Sequence, residues 1–265
     1  MTSQQHVNQW VEGVAVFGDK IYVVCDRTDI ISVYQRDSLE PVGSMKVDGL
    51  QLPNDMVACY QSGQLYVADL SQCVWRVSID DGRTRRWIPS KRAPEDASPL
   101  SLSVTSRQVL VTSYHGDVLS LYSDDGRALA RVTLPSHSKA RHAVQTSSTT
   151  FVVCRTLPRH DVIEVNMGGH VTRKLYGAEL NWPRRLAPTV DGDLVIVDSA
   201  SGRMLLADGQ LRLKRVLLTR ERDGLKGPWR LSFSPDTGQM VIGEWWKEGC
   251  RITGRVAVFR LICQP

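Results

Sequence analysis

The feature that most constrains this chain is a repeat. Six segments open on a proline or its substitute, pass through two variable residues and then alternate apolar positions. They read VEGVAV from Val11, PNDMVA from Pro53, PLSLSV from Pro99, ARHAVQ from Ala140, PRRLAP from Pro183 and PWRLSF from Pro228, at intervals of 41 to 46 residues. Each is followed by a tight turn and a second apolar run: GDKIYVVCD, SGQLYVADL, SRQVLVTSY, STTFVVCRT, DGDLVIVDS and TGQMVIGEW. A third run follows (DIISVYQ, CVWRVSI, DVLSLYS), and a fourth (GRTRRWI, GRALARVTL, GHVTRKL) leads to the next repeat. Four short strands at this period are the signature of a β-propeller blade. No window shows sustained helical periodicity with caps, and Gly, Asp and Ser clusters punctuate at hairpin spacing instead.

The sequence therefore predicts an all-β fold, a six-bladed β-propeller with four antiparallel strands per blade, built as one domain over 1–265. The blades fall at about 11–48, 49–93, 94–137, 138–179, 180–223 and 224–265, with first strands starting near 13, 55, 101, 142, 185 and 230. The last repeat ends in RVAVFRLICQP, with no room for a fourth strand. Residues 2–10 are expected to supply it, closing the ring and covering a strand edge that would otherwise be open to pairing. The stretch SKRAPEDASP (90–99) reads as a polar loop between blades.

Composition narrows the function classes. No apolar run reaches the length of a membrane helix, and MTSQQHVNQW has neither the basic start nor the apolar stretch of a secretory signal. Six cysteines (Cys25, Cys59, Cys73, Cys154, Cys250, Cys263) form no C-x-x-C pair and sit in part at the ends of apolar runs, as small buried hydrophobes do in a reducing compartment. A cytoplasmic location without membrane contact is the expectation. Net charge is +5, and only eight of the 33 basic residues are lysine. Arginine presents a planar fork of donors and stacks on flat rings, which suits phosphate, carboxylate or nucleic-acid recognition.

The repeats resemble the NHL repeat, with PNDMVACYQSGQLYVADLSQCVWRV and RLAPTVDGDLVIVDSASGRMLLAD nearest its pattern, and the whole chain looks like the propeller at the C-terminus of tripartite-motif (TRIM–NHL) proteins. It is also similar to NHL-like propellers of marine invertebrates. The resemblance is specific for fold and poor for function, because such propellers include RNA binders, protein binders, lactonases and an amidating lyase. NHL propellers that bind RNA use a basic face, so the resemblance implies attention to the arginines. No RING, B-box or coiled coil is present in this sequence, so ligase activity does not carry over.

The first strand of each blade lines the channel, and its two opening variable residues should ring the channel mouth. They are Glu12 and Gly13, Asn54 and Asp55, Leu100 and Ser101, Arg141 and His142, Arg184 and Arg185, Trp229 and Arg230. The turn after each second strand emerges at the same end and carries Arg27, Asp69, Tyr114 with His115, Arg155 with Arg159 and His160, Arg203, and Trp245 with Trp246 and Lys247. Basic and aromatic residues thus gather on the fourth to sixth blades. Cations neutralise phosphates and flat rings stack unpaired bases, so single-stranded RNA or an acidic peptide or protein is the expected partner of a monomeric, cofactor-free, non-catalytic platform. Arg141, His142, Arg184, Arg185, Trp229, Arg230, Arg27, Tyr114, His115, Arg155, Arg203, Trp245 and Trp246 are the candidate ligand contacts. The same arginines can instead pair with acids of neighbouring blades, and the tryptophans can pack as core.

Two enzyme readings stand beside this one. A lactonase-type hydrolase needs oxygen ligands for a divalent cation, and Glu12, Asn54 and Asp55 stand at suitable positions. Arg141, Arg184 and Arg230 on the opposite side of the ring would repel that ion. A zinc-dependent lyase would need channel histidines, for which His115, His142 and His160 are candidates, without metal-ligand spacing in the sequence. No G-x-S-x-G, P-loop or H-E-x-x-H motif occurs.

Overall fold

The computed structural model describes residues 3–7, 9–71, 73–88, 98–115, 117–156, 158–234, 237–249 and 251–260. Cys250, Cys263 and most of the 90–99 segment lie outside the described residues.

The repeats fold into six four-stranded sheets, each a run of consecutive antiparallel strands. In blade 1 the strands are Val11–Phe17, Lys20–Cys25, Ile30–Gln35 and Pro41–Lys46. The innermost strands of blades 2 to 6 are Pro53–Cys59, Pro99–Thr105, Ala140–Gln145, Pro183–Pro188 and Pro228–Ser234, each starting on the first residue of its repeat. The ring is closed by the N-terminus. Ser3–Val7 pairs antiparallel with Arg251–Arg260, Ser3 opposite Val258 and Val7 opposite Gly254, and becomes the outer strand of blade 6.

The core lies between blades. Each pair of neighbouring blades shares one apolar cluster, including the pair formed by blades 6 and 1. This explains why the second strands read as unbroken apolar runs. In Lys20–Cys25, Ile21 and Val23 point into the cluster shared with blade 6, while Tyr22 and Val24 point into the cluster shared with blade 2. Strands alternate sides with period two, so a sheet buried on both faces must be apolar at every position. The outer strands are mostly exposed, Val171–Lys174 throughout, though Trp87, Val132 and Leu218 turn into the core. Cys59, Cys73 and Cys154 are buried and Cys25 half-buried, all as free thiols. Burial raises the Cys154 thiol to about 12, so it behaves as a small hydrophobe.

One irregularity recurs in every blade. Pairing between first and second strands slips at the second repeat position, between Val11 and Gly13, Pro53 and Asp55, Pro99 and Ser101, Ala140 and His142, Pro183 and Arg185, and Pro228 and Arg230. Glu12, Asn54, Leu100, Arg141, Arg184 and Trp229 are therefore the extra residues of six aligned β-bulges. A bulge leaves one residue unpaired and re-aims the side chains around it. Gly13 is glycine for a packing reason, because a Cβ there would stand 2.7 Å from Met56 Cβ.

Blade 6 differs from the others. Its second and third strands, Gln239–Glu248 and Arg251–Arg260, stay paired from Trp245↔Gly254 to Glu248↔Arg251, past the last rung with the first strand at Pro228↔Glu244. Trp245 and Trp246, expected in a turn, thus stand on a projecting hairpin arm. No helix among the described residues is long and apolar enough to cross a membrane.

Candidate anion-binding site at the channel mouth

The bulges sort the twelve opening positions into two groups. The third-position side chains of Asp55, Ser101, His142, Arg185 and Arg230 are buried in the channel bore. At the second position Asn54, Arg141, Arg184 and Trp229 stay partly exposed at the mouth, the end where the first strands begin, and Glu12 and Leu100 are buried. The expectation that Arg141, Arg184, Arg185 and Arg230 share one surface is corrected accordingly: Arg185 and Arg230 are buried, and Arg141 and Arg184 are partly exposed.

The bore is a network linking blades. Arg185 Nη1 is ion-paired to Asp55 Oδ2, joining blades 5 and 2. Asp55 also accepts from Leu102 N (2.6 Å) and Met56 N (2.8 Å). Arg230 donates from Nε to Glu12 O (2.6 Å) and from Nη2 to Glu12 Oε2 (2.6 Å) and Asn54 O (2.5 Å), tying blade 6 to blades 1 and 2. His142 Nε2 lies 3.1 Å from Leu102 O, and Nδ1 accepts from Leu186 N at 3.3 Å. Only the neutral tautomer with hydrogen on Nε2 fits both contacts. Burial, then the charges of Arg185 and Arg230, hold its pKa well below the usual imidazole range. Burial also pushes the Glu12 carboxyl up, against the opposing pull of Arg230.

These partners bear on the metal readings through the ligands themselves. Glu12 and Asp55 are engaged by guanidinium groups, and Asn54 Nδ2 donates to Leu100 O at 2.6 Å. His142 has both nitrogens occupied, His160 Nδ1 accepts from Trp182 N (3.0 Å), and His115 packs edge-on against Tyr114. Among the described residues no cluster of three His, Cys, Asp or Glu side chains could hold a metal ion.

At the mouth the arrangement is different. The Arg184 guanidinium lies 3.7 Å from the Trp229 ring centroid and 5.1 Å from that of Trp182. No carboxylate among the described residues pairs with Arg184, and its Nε is buried without a partner. Burial, then repulsion from Arg141 and Arg230, lowers its pKa to about 9, which still leaves it charged at neutral pH. Arg141 spends Nε on Thr156 Oγ1 (3.1 Å) and has no ion pair among the described residues. Trp229 continues the aromatic row: its Nε1 donates to Glu12 Oε2 at 3.3 Å, Trp245 meets it edge-on at 5.5 Å, and Trp10 lies 4.6 Å beyond Trp245. On the Arg141 side, Tyr114, His115 and Lys139 border a shallow depression.

The remaining candidates are not brought into this cluster. Arg155 is buried and bidentate on Asp161 (2.7 Å to each oxygen), and Lys174 joins at 3.2 Å. Arg203 is held by Asp198 (2.9 Å) and Glu179 O (2.7 Å). Arg27 is exposed beside Asp26 at 3.7 Å. Trp246 sits on the blade 6 arm, donating to Glu248 at 2.9 Å.

The residues missed by sequence reasoning are of two kinds. Trp10, Lys139, Trp182 and Thr156 lie just outside the repeat core, and the first three carried a signal in common, each standing immediately before the first residue of its repeat. The second kind is structural. Asp69 and Asp198, at the ends of the second strands of blades 2 and 5, and Glu244, opposite Pro228 in the second strand of blade 6, accept from amides of the loop entering the same blade: Gln51 and Leu52 (3.1 Å each), Asn181 (2.7 Å) and Lys226 (2.7 Å). Blade 4 has Arg155 at this position, with its acid moved to Asp161 across the hairpin. The recurring carboxylate in VADL, VIVDS and VIGEW was readable as a latch.

No family model matches the chain, and no curated protein matches it in sequence. Solved structures do match. The WD40 β-propeller domain of Doa1 is 14% identical with a TM-score of 0.65, covering 97% of this chain and 95% of that one. A protein of unknown function from Bacteroides caccae is 15% identical with a TM-score of 0.68, covering 86% and 84%. Virginiamycin B lyase from Staphylococcus aureus is 10% identical with a TM-score of 0.66, covering 99% and 89%. At these identities the likeness shows the fold alone, an all-β six-bladed propeller. The propeller part of the NHL resemblance stands; its NHL and TRIM–NHL part has no sequence match behind it.

Proposed function

We propose that this protein is a non-catalytic binding platform that holds an anionic single strand, single-stranded RNA, across the channel mouth. The observation that carries the reading is Arg184: a desolvated guanidinium stacked on Trp229, crowded by like charge and without an ion-paired acid among the described residues. An incoming phosphate supplies the missing partner, and Arg141 offers a second fork beside it. Cation and ring side by side match the two chemistries a single strand presents, phosphates and base faces.

The test is a fluorescence-anisotropy titration with random-sequence single-stranded RNA at two salt concentrations. Binding should weaken with salt, with a log–log slope of about −0.7 per neutralised phosphate. It should be lost in Arg141→Glu/Arg184→Glu, which leaves the bore pairs intact. Arg230 is the wrong target, because its charge belongs to Glu12. Absence of binding at low salt, or equal binding by the variant, overturns the RNA reading in favour of a protein-interaction module.

A further inference from the structure

The far end of the channel holds a second site with different chemistry. A cavity of about 330 Å³ opens there. Its sleeve takes apolar residues from every blade, among them Val16, Val57, Val104, Val144, Leu186 and Phe233. Ser103, His142 and Arg185 give it a polar side on blades 3 to 5. His142 is fully engaged, but the other two are not. Arg185 is 3% exposed and Ser103 9% exposed. Among the described residues Arg185 spends one terminal nitrogen on Asp55, while its Nε and the Ser103 hydroxyl have no hydrogen-bond partner.

Buried polar groups are almost always satisfied, and each exception calls for an explanation, of which a bound molecule or water is one. Small-molecule sites are concave, mainly apolar and oriented by a few polar groups, at volumes of roughly 300–1,000 Å³. We propose that this cavity binds a small, mostly apolar molecule bearing a carbonyl oxygen, as a carboxylate or an amide. Its apolar body fills the six-blade sleeve, and its oxygen faces Arg185 and Ser103. A guanidinium only donates, so the group on this side must accept. The bore network separates this site from the arginines of the mouth, and the inference is independent of RNA binding.

The experiment is ligand-observed saturation-transfer NMR on the full chain, with 4-phenylbutanoate and 4-phenylbutanamide as probes. Both should bind with dissociation constants at or below about 1 mM, the range reached by a ligand of about a dozen heavy atoms at modest efficiency. The carboxylate binding more tightly assigns recognition to the Arg185 charge, and equal affinity assigns it to the acceptor oxygen; either supports the proposal. Ser103→Leu, which fills the polar side, should weaken binding at least about tenfold, while Ser103→Ala, which keeps the space, should weaken it by about three- to tenfold. Arg141→Glu/Arg184→Glu should leave probe binding unchanged. Failure of both probes to bind means the cavity holds water only and overturns the proposal. So does undiminished binding by a folded Ser103→Leu, or, if that variant does not fold, by Ser103→Ala.

Discussion

The two ends of the channel are built from the same strands and treat charge in opposite ways. In the bore, Arg185 has an acid from across the ring and Arg230 has one from the adjacent blade 1, so Asp55 and Glu12 each have a cation. At the mouth, Arg184, one residue before Arg185, and Arg141 on blade 4 form no ion pair with an acid among the described residues. The difference shows that a single bulge per strand is enough to divide adjacent arginines between holding the ring together and meeting solvent. Arg184 is a half-buried charge that lies against the Trp229 and Trp182 rings without an ion-paired acid among the described residues, an arrangement that an anionic ligand would complete.

The comparison breaks most visibly in the bore. Asp55→Ala leaves Arg185 buried without its acid and strips Leu102 N of its acceptor. Losing one partner of a buried pair costs about 3–5 kcal/mol, to be read from denaturant midpoints. The double replacement Asp55→Leu/Arg185→Leu should cost clearly less than the sum of the singles, since no charge is left stranded.

A smaller effect is expected from His142. Its folded pKa is depressed by burial, so its contribution to stability is fully present above the unfolded value of about 6.5 and is lost as pH falls below that value toward the folded pKa. Over the window from about pH 6.5 to 5, stability should fall by up to about 1.4 kcal/mol per pH unit from this group. His142→Gln should flatten that slope in denaturation curves taken at pH 7.5 and 5. An unchanged slope would place the titrating group elsewhere.

The smallest effect belongs to the mouth. Arg184→Gln removes a cation–ring contact, worth about 2 kcal/mol where the cation is desolvated, and also an uncompensated, desolvated charge. The two terms oppose, so stability should stay within about 0.5 kcal/mol of the parent in the same denaturation assay. A loss comparable to that of Asp55→Ala would show that Arg184 is structural after all and erase the distinction between the two ends.

The fold was legible because propeller blades are periodic. The proline-led pattern, the doubly apolar second strands and the shortfall of a strand after Arg260 together point to six blades and an N-terminal closing strand. The site was legible in outline only. Arg141, Arg184 and Trp229 stood in the aligned positions that ring the mouth, but so did Arg185 and Arg230, and residue type does not tell a surface arginine from a buried one. Trp245 and Trp246 were assigned to a turn because the strand pattern does not announce where a hairpin outgrows its blade.

The sequence by itself determined the repeat, its period, the strand count and the gathering of arginine and tryptophan on blades 4 to 6. These are local properties, carried by side-chain alternation and turn residues within one repeat. Only the tertiary structure decided which arginine meets which acid. Asp55 and Arg185 are three blades apart, and Glu12 and Arg230 lie at opposite ends of the chain. Their pairing exists because the ring closes and a bulge turns each side chain into the bore, and no pattern within a single repeat encodes that geometry.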